Sequence, residues 1–151
     1  MHYAACCEGP EPMKVLIDAG ANLGDIDNQK NNCLHFAALN GRAEVIDLIL
    51  KTNLNLLNIR NKVGMTAIGL ACKEGHTRAV EVLLSYKAKL NVGCGAERMT
   101  PLCFAANYGH EELVKFLIDK KARILGKDKY KRTPLILATK NGHATIVNTL
   151  L

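Results

Sequence analysis

The chain has 151 residues, 48% of them apolar but only 5% aromatic and none tryptophan, and it carries a formal net charge of +6. That apolar share is enough for one continuous core. No apolar run approaches the 18 or more residues of a membrane-spanning helix, so a helical membrane protein is not predicted.

Along the chain the first recognisable phrase is clipped, Met1-His2-Tyr3-Ala4-Ala5, and it returns in fuller form four times. The copies are Asn32-Cys33-Leu34-His35-Phe36-Ala37-Ala38, Thr66-Ala67-Ile68-Gly69-Leu70-Ala71-Cys72, Thr100-Pro101-Leu102-Cys103-Phe104-Ala105-Ala106 and Thr133-Pro134-Leu135-Ile136-Leu137-Ala138-Thr139, each 33 or 34 residues after the last. A fixed period in this range marks stacked units, each burying its apolar face only against its neighbours. Thr100-Pro101 reads as a helix start, because the hydroxyl can accept from an orphan N–H and proline at the first helical position loses no needed donor. Gly41, Gly75, Gly109 and Gly142 hold one phase and end each short helix with the positive φ that a C-terminal turn prefers. His76, His110 and His143 follow three of these glycines.

A second amphipathic run comes next in each unit: Val45 to Leu50, Ala79 to Leu84, Leu113 to Ile118 and Ile146 to Leu151. Polar segments such as Gly20 to Asn31 and Lys87 to Met99 then lead to the next phrase, long enough for a hairpin-like finger. The segments before Thr66 and Thr100 are one residue longer than the one before Thr133, so fingers two and three are expected to bulge or protrude differently. The array therefore divides into units 1 to 31, 32 to 65, 66 to 99, 100 to 132 and 133 to 151, forming a single domain. Its ends fall inside repeat phrases without polar outer faces, and a piece of a longer protein is expected.

Period and phrases together resemble the ankyrin repeat over essentially the whole chain. The resemblance implies an all-α solenoid of helix-turn-helix units with protruding loops, and a non-catalytic module that binds a protein or peptide on its concave face. It also implies that His35 and His2 tie finger to helix by hydrogen bonds. Gly69, Cys103 and Ile136 stand at that phase in the other units, so their fingers are expected to be differently bonded or less rigid.

Nothing in the residues points to chemistry. Cys6, Cys7, Cys33, Cys72, Cys94 and Cys103 lack the paired spacing of a zinc site and read as small buried hydrophobes of a reducing, intracellular and cytoplasmic (or nuclear) protein. The histidines are spaced by the repeat, not gathered into a triad. Gly93-Cys94-Gly95 lacks the lysine and following glycine of a phosphate loop and reads as a turn. No cofactor or metal is expected.

Carried over by resemblance, the contact set comprises fingertips and inner-helix ends. The residues singled out are Met65, Met99, Tyr108, Tyr130 and Arg132, the types that anchor interfaces, with Lys129, Asn107, Lys73, Lys140, Leu39 and Asn40 around them. The last two units are basic: Lys115, Lys120, Lys121, Arg123, Lys127, Lys129, Lys131, Arg132 and Lys140 face few acids, which would favour an acidic partner. Nucleic acid is not expected, for want of a denser cationic stripe with stacking aromatics. The alternative to a free-standing scaffold is the recognition or regulatory arm of a larger enzyme or ion channel.

Overall fold

The computed structural model describes all residues, 1–151. Ten α-helices follow in pairs: α1 (His2–Cys6) and α2 (Glu11–Asp18), α3 (Cys33–Leu39) and α4 (Ala43–Thr52), α5 (Ala67–Glu74) and α6 (Thr77–Ser85), α7 (Pro101–Asn107) and α8 (Glu111–Asp119), α9 (Pro134–Lys140) and α10 (Ala144–Leu150). The first helices of successive pairs pack on one another in chain order, and so do α4, α6, α8 and α10, giving two parallel stacks. This is the all-α solenoid expected from the repeat.

Each inner helix starts where its side chains can cap it. The hydroxyls of Thr66, Thr100 and Thr133 accept from the N–H groups of Gly69, Cys103 and Ile136, and Pro101 and Pro134 stand at first helical positions. In α3 the cap is reciprocal: Asn32 accepts from the His35 N–H while the His35 ring accepts from the Asn32 N–H. The buried faces are lined with alanine or cysteine, including Ala37, Ala38, Ala71, Cys72, Ala105, Ala106 and Ala138, which lets the backbones approach closely. Larger side chains fill the space between inner and outer layers, with Leu34, Ile49, Leu83, Leu102, Leu113 and Leu117 buried and Leu135 half-buried against them.

The glycine that ends α3, α5 or α7 has two jobs, and Gly142 after α9 has the first of them. Gly41, Gly75, Gly109 and Gly142 have φ of 67°, 77°, 81° and 75°, which an L side chain adopts at a cost. A Cβ on Gly41 would also lie 2.6 Å from His76 Nδ1, and one on Gly109 would lie 2.7 Å from His143 Cε1. Each imidazole in turn bonds back to the preceding inner helix, with Nε2 3.0 Å from Leu39 O for His76, 2.7 Å from Lys73 O for His110 and 3.1 Å from Asn107 O for His143. The Gly-His phase is thus the joint between units.

Four fingers leave the same edge. In fingers one, two and four the tip closes from the N–H of Asp27, Asn61 or Asp128 to the carbonyl four residues on, and the Oδ1 of that Asp or Asn accepts two further backbone N–H groups. Finger three closes from Cys94 N–H to Met99 O, one residue longer. So only finger three carries its extra residue at the tip. The extra residue before Thr66 is taken up instead by a 3₁₀ turn, Leu54–Leu56, after α4. Adjacent fingers are laced by Lys62 N–H to Gln29 O, Gly95 N–H to Gly64 O and Lys129 N–H to Glu97 O.

The finger-to-helix anchors repeat at one phase with different chemistry. His35 Nε2 lies 3.1 Å from Ile59 O and 3.2 Å from Met65 O, and His2 Nε2 lies 3.2 Å from Asp25 O, as the resemblance implied. Cys103 substitutes a thiol, 3.7 Å from Gly126 O. Gly69 offers nothing, and a Cβ there would strike the Cys94 sulfur, which fills the vacated space. Ile136 is exposed. Cys33, Cys72, Cys94 and Cys103 are buried, and burial pushes the Cys33 thiol up to about 11 and the Cys72 and Cys103 thiols upward, which keeps them protonated and unreactive at neutral pH.

Two outcomes test this packing. Leu117 is wholly buried, and Leu117→Ala is expected to cost about 2–5 kcal/mol in urea denaturation; a loss under about 0.5 would mean that α8 turns another face inward. Burial holds the His35 imidazole below its ordinary 6.5, against the pull of the Met65 and Ile59 carbonyls. The unfolded chain therefore takes up this proton first as pH falls, so His35 contributes stability that is complete above pH 6.5 and is lost as pH drops through the lower folded value. The urea midpoint should fall across that window, and His35→Gln should flatten that part of the profile.

Candidate protein-binding groove

Between the fingers and the inner helices of the middle units runs a concave groove of about 510 Å³. Its floor is apolar: Met65 at the base of finger two, Leu70 on α5, Met99 at the base of finger three and Phe104 on α7. Its walls are finger residues Asn61, Val63, Gly95, Ala96 and Glu97 on one side and inner-helix ends Lys73, Asn107, Tyr108 and Lys140 on the other, with Arg132 closing one end. Gly95 makes the floor reachable. With φ of 74° it takes the left-handed turn, and a Cβ there would lie 2.7 Å from Met65 Sδ.

Seven of the residues singled out from sequence meet here: Met65, Met99, Tyr108, Arg132, Asn107, Lys73 and Lys140. Their exposure is not what their residue types predicted. Met65 and Met99 are 7% and 6% exposed, because each side chain turns under its finger to fill the space beside the inner helices, so they form a floor and are not protruding anchors. Tyr108 is 47% exposed and stands at the rim, its ring 6.5 Å from that of His110 and 5.9 Å from Lys73 Nζ. Leu39, Asn40, Tyr130 and Lys129 lie outside the groove. Leu39 and Asn40 sit one unit earlier, where Asn40 Nδ2 donates to Phe36 O. Tyr130 is exposed at the tip of finger four, with Lys129 Nζ and Arg132 Cζ 4.9 and 4.8 Å from its ring centroid.

Arg132 is not a free cation. Its guanidinium pairs with Asp128, 2.6 Å away, and with Glu97 in the neighbouring finger. Burial by itself would raise the Asp128 carboxyl, but hydrogen bonds from the Arg132 side chain and from the Arg132 and Tyr130 N–H groups outweigh it and hold the group ionised below the usual range. Arg132 therefore clamps finger four to finger three. Lys73 and Lys140 have no carboxylate partner and are the unpaired cations in the groove lining.

Leu70 and Phe104 were not singled out from sequence. Both stand at the large apolar position two places after Ile68 and Leu102, a phase also held by Phe36 and Leu137. That regularity reads as core, and in Leu70 and Phe104 one edge of a core residue is also the groove floor.

If Arg132 is the clamp, Arg132→Ala should speed exchange of the Lys129 amide, which bonds to Glu97 O, while the Lys62 amide, bonded to Gln29 O, exchanges as before. Equal acceleration at both would count against a local clamp.

Comparison with known proteins places this architecture. A family model described as "Ankyrin repeats (3 copies)" matches residues 1–94 and 87–151. The chain is 35% identical over 152 residues to poly [ADP-ribose] polymerase tankyrase of Caenorhabditis elegans, covering 88% of this chain and 7% of that protein. It is 34% identical over 113 residues to human ankyrin repeat domain-containing protein 63, covering 72% and 29% respectively. It is 25% identical over 182 residues to the Caenorhabditis elegans homolog of transient receptor potential cation channel subfamily A member 1, covering all of this chain and 15% of the channel. The chain thus spans less than a third of the length of each of these relatives.

Proposed function

The chain belongs to the ankyrin-repeat family, and from that premise we propose that it is a protein-interaction module whose groove between fingers and inner helices receives an extended peptide segment of a partner. Ankyrin repeats mediate protein–protein interaction, and the module needs no chemistry of its own. The observation that carries the groove assignment is the pairing of an apolar floor, formed by Met65, Leu70, Met99 and Phe104, with a rim of hydrogen-bonding and cationic groups. Such a floor desolvates one or two apolar side chains, while the rim fixes their register. Lys73 and Lys140 are the rim cations without a partner, which supports an acidic residue beside the apolar one in the bound segment.

A second reading makes the array the recognition arm of a larger enzyme or channel. The relatives support it: one is named a polymerase and another a cation channel, and in each the matched region is a small part of the whole. Both readings use the same groove.

Selection of a random-peptide display library on the isolated chain tests the assignment. Peptides combining an apolar with an acidic residue should be enriched, and Tyr108→Ala should weaken them by about ten-fold or more while the melting curve stays nearly unchanged. Peptides that bind Tyr108→Ala as tightly as the native chain would move the site elsewhere.

A further inference from the structure

Fingers three and four enclose a second cleft that shares no lining residue with the groove. Its counterpart lies between fingers two and three, and the equivalence is exact in the hydrogen bonds: Asn58 accepts from the Lys89 N–H there, and Asn91 accepts from the Arg123 N–H here. The volumes differ, about 60 Å³ against about 290 Å³. Two side chains account for this. In the narrow cleft Arg60 reaches across to the carbonyls of Gly64 and Gly93, both at 2.9 Å, and Val92 lines the space. In the wide one those places are held by Gly93 and Gly126.

The opening is built in, since a Cβ on Gly93 would collide with the Arg98 carbonyl and one on Gly126 would lie 3.1 Å from Arg123 O. Around it stand four exposed cations, Arg98, Arg123, Lys127 and Lys129, none of them ion-paired. The carboxylate in the lining, Asp128, is spent on Arg132 and on two backbone N–H groups. No hydrophobic residue lines the cleft. Its volume sits at the small end of the range of about 300–1,000 Å³ for small-molecule sites, room for a compact polar group and not for a folded partner.

We propose that this cleft binds a small, multiply phosphorylated ring of the inositol phosphate type, with Arg98, Arg123, Lys127 and Lys129 as its phosphate ligands. Unpaired guanidinium and ammonium groups lining one open polar cleft suit several dianions better than one carboxylate. The same ring occurs free or as a lipid headgroup. Leu125, 79% exposed and adjacent in the chain to Gly126, with Ile124 beside Arg123 and Val92 between Asn91 and Gly93, adds apolar side chains next to the cations, the composition of a surface that meets an anionic membrane.

Calorimetry with inositol trisphosphate should give saturable binding that Arg123→Gln with Lys127→Gln weakens about ten-fold or more. The control Lys14→Gln with Lys62→Gln, which removes the same charge elsewhere, should stay within about two-fold. Phosphatidylcholine vesicles doped with phosphatidylinositol bisphosphate then separate the sources. Vesicle binding that Leu125→Ser reduces, with trisphosphate binding intact, assigns the lipid-borne headgroup; vesicle binding no greater than to phosphatidylcholine alone, with trisphosphate binding intact, assigns the free ring. No saturable binding by the native chain, equal weakening in the control variant, or displacement of the trisphosphate by a lower concentration of a phosphoserine peptide would overturn the proposal.

Discussion

The architecture depends on a joint made twice over at Gly41, Gly75 and Gly109, the glycines that end α3, α5 and α7. The left-handed turn releases the chain into the outer helix, and the missing Cβ leaves room for the next unit's imidazole. That imidazole then bonds to the carbonyl at the end of the preceding inner helix. A side chain at the glycine would strain the turn and push the ring away at once, so one substitution would uncouple two neighbouring units.

With the helices locked in this way, the fingers are held to a common pitch and their tips can bond to one another. Variation is then free to accumulate at phases that do not carry the joint. The anchor phase shows it: imidazole in His2 and His35, thiol in Cys103, and at Gly69 a gap filled from its own unit's finger by Cys94. Finger three pairs that exchange with an extra residue at its tip, and Gly93 and Gly95 in the same finger open the cleft on one side and the groove floor on the other. The irregular finger is where both cavities of interest are found.

Charge follows the same logic of local detail over composition. The basic count of the last two units is real, but Arg132 is consumed by Asp128 and Glu97, and Lys115 lies 3.6 Å from Glu111. Of the unpaired cations, Lys140 stands at the groove rim with Lys73 of the third unit, Arg123, Lys127 and Lys129 line the cleft with Arg98, and Lys120, Lys121 and Lys131 lie outside both. A single field over a basic end, as read from the residue list, becomes two sites of different shape.

How much was legible follows from which contacts are local. The capping threonines, the helix-ending glycines and the apolar periodicity act within a few residues, so the phrase at Thr100 and its echoes at Asn32, Thr66 and Thr133 determined the helix pairs and their stacking. Seven of the residues singled out from sequence share one groove for a related reason, since a repeat phase projects to a fixed place on the solenoid. Burial of Met65 and Met99, the pairing of Arg132 and the widening of one inter-finger cleft were decided only by the tertiary structure. Met65 lies against Gly95, Arg132 is held by Glu97 and the narrow cleft is crossed by Arg60 reaching the Gly93 carbonyl, each 30 or more positions away, and a one-dimensional period carries no record of which side chain reaches across to the next unit.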